Sequence, residues 1–217
     1  MSEFSSPPRE AVIDLLGMLA YAELVAFDRM AADARLAPDL RRRAALSEMA
    51  AFEIENYCRL AERLQQLDAD VEISMAPYVS AFSAYHEQTE PNDWLEGLTK
   101  AYVGDGIADD FTREVAGILG GPDRDLIVDV LHDSRHADFA ADEIRAAIAA
   151  DPKVANRLSM WARRLVGEGI SQAVRVAAER PALAALIAAD PANDVQELLK
   201  RLTTAHTERM TAVGLNN

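Results

Sequence analysis

Apolar residues recur at three- and four-residue steps along nearly the whole chain, and strand-like alternation is nearly absent. That periodicity predicts amphipathic helices and an all-α fold. Breakers divide the pattern. Pro7 and Pro8 precede a first helix over about residues 9–35, and Pro38 with Asp39 open a second that runs to about Leu67. The stretch 68–91, with Pro77 and mixed polar and aromatic residues, reads as a long connection with short helical turns. Asp93-x-x-Glu96 has the form of a capping box and opens a third helix to about Leu119. Gly120–Gly121–Pro122 then stops that helix and starts a fourth, reaching about Ala150. Asp151–Pro152 and Asp190–Pro191 each set an N-cap before a proline at the first helical position, which predicts helices over about 152–179 and 191–212, with a shorter piece at 181–189. Two helix pairs, each joined by a tight turn and linked by one long crossover, make a four-helix bundle. The expected division is a disordered segment at 1–8, the bundle at 9–150, and helices at 151–217 packed on the bundle or in an oligomer contact.

The apolar stripes carry the chemistry. In the first helix the stripe runs Leu16, Ala20, Glu23, Phe27, Met30, and in the second Leu46, Met49, Glu53, Asn56, Leu60, Leu64. The third gives Leu98, Tyr102, Asp105, then Ala108 or Asp109, Thr112 and Val115; the fourth gives Leu126, Val130, Asp133, His136, Ala140, Ile144. A carboxylate interrupts each stripe near its middle. In an antiparallel hairpin, residues equidistant from the turn are level. The midpoint of positions 23 and 53 is Pro38, and that of 105 and 133 is Leu119, directly before the Gly-Gly-Pro turn. Residues three apart share a helix face, so Asn56 points inward with Glu53 and His136 with Asp133. Ionised carboxylates in an apolar interior repel and are poorly solvated, so they require metal ions, protons or buried bases. Two divalent cations meet that need most directly. A buried polar network with arginine partners such as Arg113 or Arg135 is the alternative. Gly104 and Gly106 flank Asp105 inside a helix, at about 1 kcal/mol each relative to alanine; close helix packing or a local bulge that aims Asp105 would compensate.

At these positions the sequence resembles the ferritin-like di-iron carboxylate proteins, whose four helices carry Glu, Glu-x-x-His, Glu and Glu-x-x-His. The segments Leu15–Phe27, Ala76–Pro91 and Trp94–Thr112 are similar to an actinobacterial ferritin-like group related to the MiaE-like tRNA hydroxylases. That resemblance implies two irons and dioxygen used to hydroxylate an isoprenoid-type side chain on a modified tRNA adenosine. It further implies that Glu23 and Asn56 serve one metal and Asp105 and His136 the other, with Glu53 and Asp133 bridging; Tyr57, Tyr102 and Asp109 would support the ligands by packing and hydrogen bonds. Asn56 stands where the family has histidine, and Asp105 and Asp133 are one methylene shorter than glutamate. One iron is therefore expected if the Glu23–Asn56 position is empty, and none if the set is too eroded.

Composition narrows the partners. Half of the residues are hydrophobic, yet no run approaches the roughly 18–20 apolar residues of a membrane span. The segment Met1–Arg9 lacks the basic start and apolar stretch of a secretory signal, so a cytoplasmic location is expected. The single cysteine, Cys58, reads as a small buried hydrophobe. A net charge of −14 repels nucleic acid at long range, so tRNA binding needs a local basic patch; Arg35 with Arg41, Arg42 and Arg43, or Arg163, Arg164 and Arg175, are the candidates, against a reading as salt-bridge partners. Expected partners are tRNA or a small-molecule substrate, a separate reductase as electron donor, and a second copy through the helices. His132, adjacent to Asp133, points off the core face and reads as a surface histidine, and His86 and His206 have no supporting motif. Three functions follow: a metal-dependent hydroxylase, a ferritin-like scaffold without catalysis, or iron oxidation and storage.

Overall fold

The computed structural model describes residues 8–131, 135–188 and 195–216, and every regular element among them is helical. In chain order these are α1 Arg9–Asp33, α2 Leu40–Gln66, α3 Val71–Met75, α4 Val79–Gln88, α5 Trp94–Lys100, α6 Gly106–Ala116, α7 Gly121–Val130, α8 Arg135–Ala150, α9 Lys153–Glu179, α10 Pro181–Ala188 and α11 Val195–Ala212. A π-helical turn, Ala101–Asp105, joins α5 to α6.

The helix starts follow local chemistry. Asp39 caps α2 by accepting from the Arg42 backbone N–H at 2.9 Å, and Asp93 caps α5 by accepting from that of Glu96 at 2.9 Å. Glu96 returns its carboxylate to the Asn92 backbone N–H at 2.9 Å, a capping box displaced by one residue. At the turn before α7, Gly121 takes a φ of 62°, which L side chains avoid.

Two expectations change. The connection 68–91 holds a ten-residue helix, α4, besides the short α3. The fourth helix is broken at Leu131, which takes a turn conformation after α7 ends at Val130; α8 covers Arg135–Ala150 among the described residues. The carbonyls at that end find outside donors, because Asn56 Nδ2 donates to Val130 O at 3.4 Å and Arg113 Nη2 to Leu131 O at 3.5 Å.

The core is divided. Leu15, Leu16, Leu60, Leu64, Tyr78 and Ile127 belong to one buried cluster, and Leu98, Val103, Ile144, Leu158, Leu165 and Met210 to another. A small third cluster, Met30, Ala34, Leu46 and Ala50, closes the α1–α2 hairpin at its turn. Along that hairpin, Glu23 and Glu53 lie in the interval between the first and third clusters. On the other side α9 lies against α4, α5 and the π-turn, and α11 against α6, where Arg201 makes paired 2.9 Å bonds to Glu114. No helix among the described residues is long and apolar enough to cross a membrane.

Several arginines of the two basic stretches tie helices together. Arg42 pairs with Asp39 and, at 2.6 Å, with Glu143 on α8; Arg175 reaches Ser80 on α4, and Arg164 donates to Gln88 O. Cys58 is exposed, contrary to the expectation of burial, because it lies off the face of α2 that buries Leu60 and Leu64. It should therefore react fully with a thiol reagent in the native protein, within the time taken by a small exposed thiol; protection until denaturation would contradict the placement.

Candidate functional site

The α1–α2 hairpin brings Glu23 and Glu53 together, as their equal distance from Pro38 requires. Burial is the main reason that the Glu23 carboxyl holds its proton well above the ordinary range; hydrogen bonding to Glu53 and repulsion from Glu53 and Asp109 push the same way, while a hydrogen bond from Asn56 opposes them. Glu23 Oε2 is buried with no hydrogen-bond partner among the described residues. Asn56 turns its amide donor to Val130 O, so it acts here as a donor that fixes its neighbours.

The third helix contributes through its π-turn. Such a turn closes i→i+5 hydrogen bonds and inserts one residue into the helical repeat. Residues three apart across it therefore lose their common face, and residues five apart gain one. Tyr102 and Asp105 are separated in this way. The Tyr102 hydroxyl donates to Arg209 O on α11 at 3.1 Å and its ring packs in the second core cluster, which corrects its expected place beside the acids. Lys100, five residues before Asp105, bears on it only electrostatically.

Asp105 keeps accessible surface, yet burial among protein groups is the first cause of its strongly raised proton affinity, ahead of repulsion from Asp109 and Glu53; Lys100 opposes these. One turn on, Asp109 is raised to about 6 by burial, against Arg113, and by repulsion from Glu53. Asp109 thus belongs to the acid cluster. Gly104 and Gly106 serve close packing as well as the bulge: a Cβ at Gly104 would stand 2.7 Å from Tyr85 Oη, and one at Gly106 2.7 Å from Arg209 Cζ.

Sequence reasoning missed the base. Lys100 is 7% exposed, its ammonium donates to Thr89 O at 2.8 Å and lies 5.2 Å from the Tyr85 ring centroid. Burial draws its proton affinity down to about 8, so it is still charged at neutral pH. Asp33 at the end of α1 faces the same ammonium. His86, without a motif in the sequence, is neutral because burial and then Lys100 and Arg29 pull it down to about 3, and its Nδ1 is buried without a partner among the described residues. With Tyr21, Leu24, Val25, Asp28, Arg29, Phe82 and Ser83 it lines a groove of about 200 Å³ between α1 and α4. Tyr85 and His86 come to Lys100 because the crossover folds as the helix α4.

The remaining candidates are placed as follows. Tyr57 packs against the first core cluster, and His136 is half-buried in the first turn of α8. Asp133 and His132 lie outside the described residues. Of the two arginines offered as partners for the acids, Arg113 acts on Asp109, whereas Arg135 stacks over the Phe52 ring at 3.8 Å.

Among the described residues, no three His, Cys, Asp or Glu side chains converge closely enough to hold a metal ion. The charge pattern nevertheless fits a cation: a buried carboxyl oxygen lacks a donor among the described residues, and four acids act on one another electrostatically. The same pattern gives a pH dependence. A folded carboxyl with a raised proton affinity contributes stability that is fully present below its unfolded value and lost as pH rises through its folded value, here from 3.8 to about 6 for Asp109. Metal-free protein should therefore melt several degrees higher near pH 5.5 than at pH 7.5 by circular dichroism, with a flat profile counting against a charged cluster.

Comparison with known proteins agrees with this architecture. A solved structure described as protein 19 with aldehyde deformylating oxidase activity, from Synechococcus, superposes with a TM-score of 0.75 over 100% of this chain and 95% of that one, at 17% identity. At that identity the likeness is one of fold. No curated protein matches the chain. The model of the ferritin-like domain of actinomycetes matches residues 7–190, well over half of the sequence, and the chain belongs to that ferritin-like family.

Proposed function

We propose that the chain is a metal- and dioxygen-dependent oxidoreductase of hydroxylase type, with a cation held by Glu23 and Glu53. The observation that carries this reading is Glu23 Oε2, a buried acceptor with no donor among the described residues, set against a second carboxyl where the apolar packing of the hairpin is interrupted. Ionising this buried, proton-holding carboxyl is costly, and a cation beside it would offset that cost. Carboxylate oxygens suit iron(II) or manganese(II), and by resemblance Asp133 and His136 would complete the set. Iron supplies, when bound, the dioxygen chemistry that side chains lack.

The chain's own residues supply the rest. Asn56 orients Glu23, and Asp109, raised to about 6, holds a proton within reach of neutral pH beside Glu53. The groove walled by Tyr21, Leu24, Val25 and Phe82, with a neutral His86, suits an apolar group carrying a hydrogen-bonding head. An isoprenoid-type group on tRNA and a free small molecule both meet that description, and the net charge of −14 favours the latter. Reducing equivalents would come from a separate reductase. Metal analysis of protein expressed in iron-supplemented medium tests the reading. Bound iron is expected; a content near zero, unchanged by anaerobic ferrous reconstitution, would contradict it.

A second reading, a ferritin-like scaffold without catalysis, draws on the lack of a converged three-ligand set among the described residues. It requires that Glu23→Leu leave the cellular role of the protein intact, whereas the hydroxylase reading requires that role to be lost.

A further inference from the structure

Helix α9 buries one face and leaves the opposite face bare. Leu158, Trp161, Ala162 and Leu165 are buried in the second core cluster, and two turns on Gly169 faces the Tyr85 ring. Residues seven apart are nearly two full turns apart, so Met160, Gly167 and Val174 form one line, and that line lies on the far side from the core. Met160 is 68% exposed, Val174 66%, and Ile170 at the edge of the line 58%. Asn156, Ser171 and Ala178 extend it with exposed, uncharged residues. The bordering arginines are turned aside by bonds within the chain. Arg163 donates to Asn216 O, Arg164 donates to Gln88 O and lies over the Trp161 ring, and Arg175 bonds Glu179 and Ser80. No carboxylate stands on the line, although the chain carries a net charge of −14. Gly167 adds an independent observation. Glycine weakens a helix interior, and at Gly17 and Gly106 close packing within the chain accounts for it. A Cβ at Gly167 would meet no atom within 4 Å among the described residues, so nothing in the chain itself calls for glycine there.

We propose that α9 is the interface of a two-fold homodimer in which the helices of two copies cross antiparallel at Gly167. An isologous contact needs a pattern symmetric about its axis. Met160 and Val174 each lie seven residues from Gly167, so Met160 of one copy meets Val174 of the other, twice over. Glycine at the crossing lets the two backbones approach closely. The charges match as well. Arg164 of one copy is level with position 170 of the other, two residues or about 3 Å of helical rise from Glu168, which shares its border of the line. Each copy thus offers an arginine to the other's glutamate. A nucleic acid or other polyanion would need the bordering arginines free, and they are engaged within the chain. The line from Asn156 to Ala178 is about 33 Å long, and a helix face of that length buries roughly 400–500 Å² per copy, at the small end of specific interfaces. The dimer is therefore weak and forms by mass action. The proposal does not depend on metal binding.

Sedimentation velocity over a series of about 1–500 μM tests it, with dissociation constants expected in the micromolar range for an interface of this size. The 23.7 kDa chain should pass from monomer toward dimer across that series. Met160→Glu combined with Val174→Glu sets like charges against each other and should weaken association at least about 100-fold. Gly167→Gln should have two effects of opposite sign. The dilute monomer should melt a few degrees higher, because a better helix former fills open space, while association weakens about 10-fold or more, because the new side chain holds the helices apart. That second variant keeps the test decisive if the double variant does not fold. A wild type that stays monomeric throughout would overturn the proposal. A dimer unmoved by Gly167→Gln and by the double variant would overturn it too, by placing the contact on another face.

Discussion

Glu53→Gln should lose metal retention, with affinity falling at least about 100-fold, while the metal-free protein becomes more stable. Glu53 is the hub of the cluster: its carboxyl raises the proton affinities of Glu23, Asp105 and Asp109 alike. Glutamine keeps the volume and removes the charge, so no cavity confuses the result. Relief of repulsion at pH 7.5 should raise the melting temperature of the metal-free form by a few degrees, on the scale of roughly 2–4 °C per kcal/mol for a chain of this size. The two effects have opposite signs. Equilibrium dialysis with ferrous iron and thermal melts of both proteins check them, and unchanged binding with a lowered melting temperature would show a structural role alone.

Gly17→Ala should be the most damaging single-methyl change outside the site. Gly17 is fully packed in α1 where α3 crosses it, and an added Cβ would stand 2.7 Å from the Ser74 carbonyl carbon and 2.9 Å from its Cβ, backbone and near-backbone atoms that cannot swing away. Overpacking of this kind costs about 1–3 kcal/mol or more, which outweighs the roughly 1 kcal/mol that alanine gains over glycine in a helix. A melting temperature lowered by about 5 °C or more is expected. Gly104→Ala should cost less, because the atom it meets is the far end of the Tyr85 side chain. Melting curves of the two variants side by side give the comparison, and equal losses would contradict the ranking.

Helix positions were legible because their signals are local. Asp39 and Asp93 cap the helices they were expected to open, and Pro38 and Gly121 sit at the turns. The Glu23–Glu53 pairing was legible too, since hairpin geometry fixes depth once the turn is known. The α5–α6 rod was harder. A constant 3.6-residue period places Tyr102 with Asp105, and nothing in the letters around Gly104 says that one residue has been inserted; the π-turn moves Tyr102 off that face and toward α11. Lys100, Asp33, Tyr85 and His86 gather from three separate elements, and their meeting depends on the crossover folding as α4 against the bundle. Cys58 shows the same limit on a smaller scale, because a helix with a narrow apolar stripe exposes residues whose type alone suggests burial.

The most direct measurement is a crystal structure of protein loaded anaerobically with ferrous iron, with anomalous scattering recorded at the iron edge. A peak between Glu23 and Glu53, with Glu23 Oε2 as a ligand, is the result expected from that oxygen, which has no partner among the described residues, and from the paired carboxyls. Absence of any peak within the bundle, with Glu23 and Glu53 sharing a proton across a short hydrogen bond, would contradict it and leave a ferritin-like fold stabilised by protonated acids.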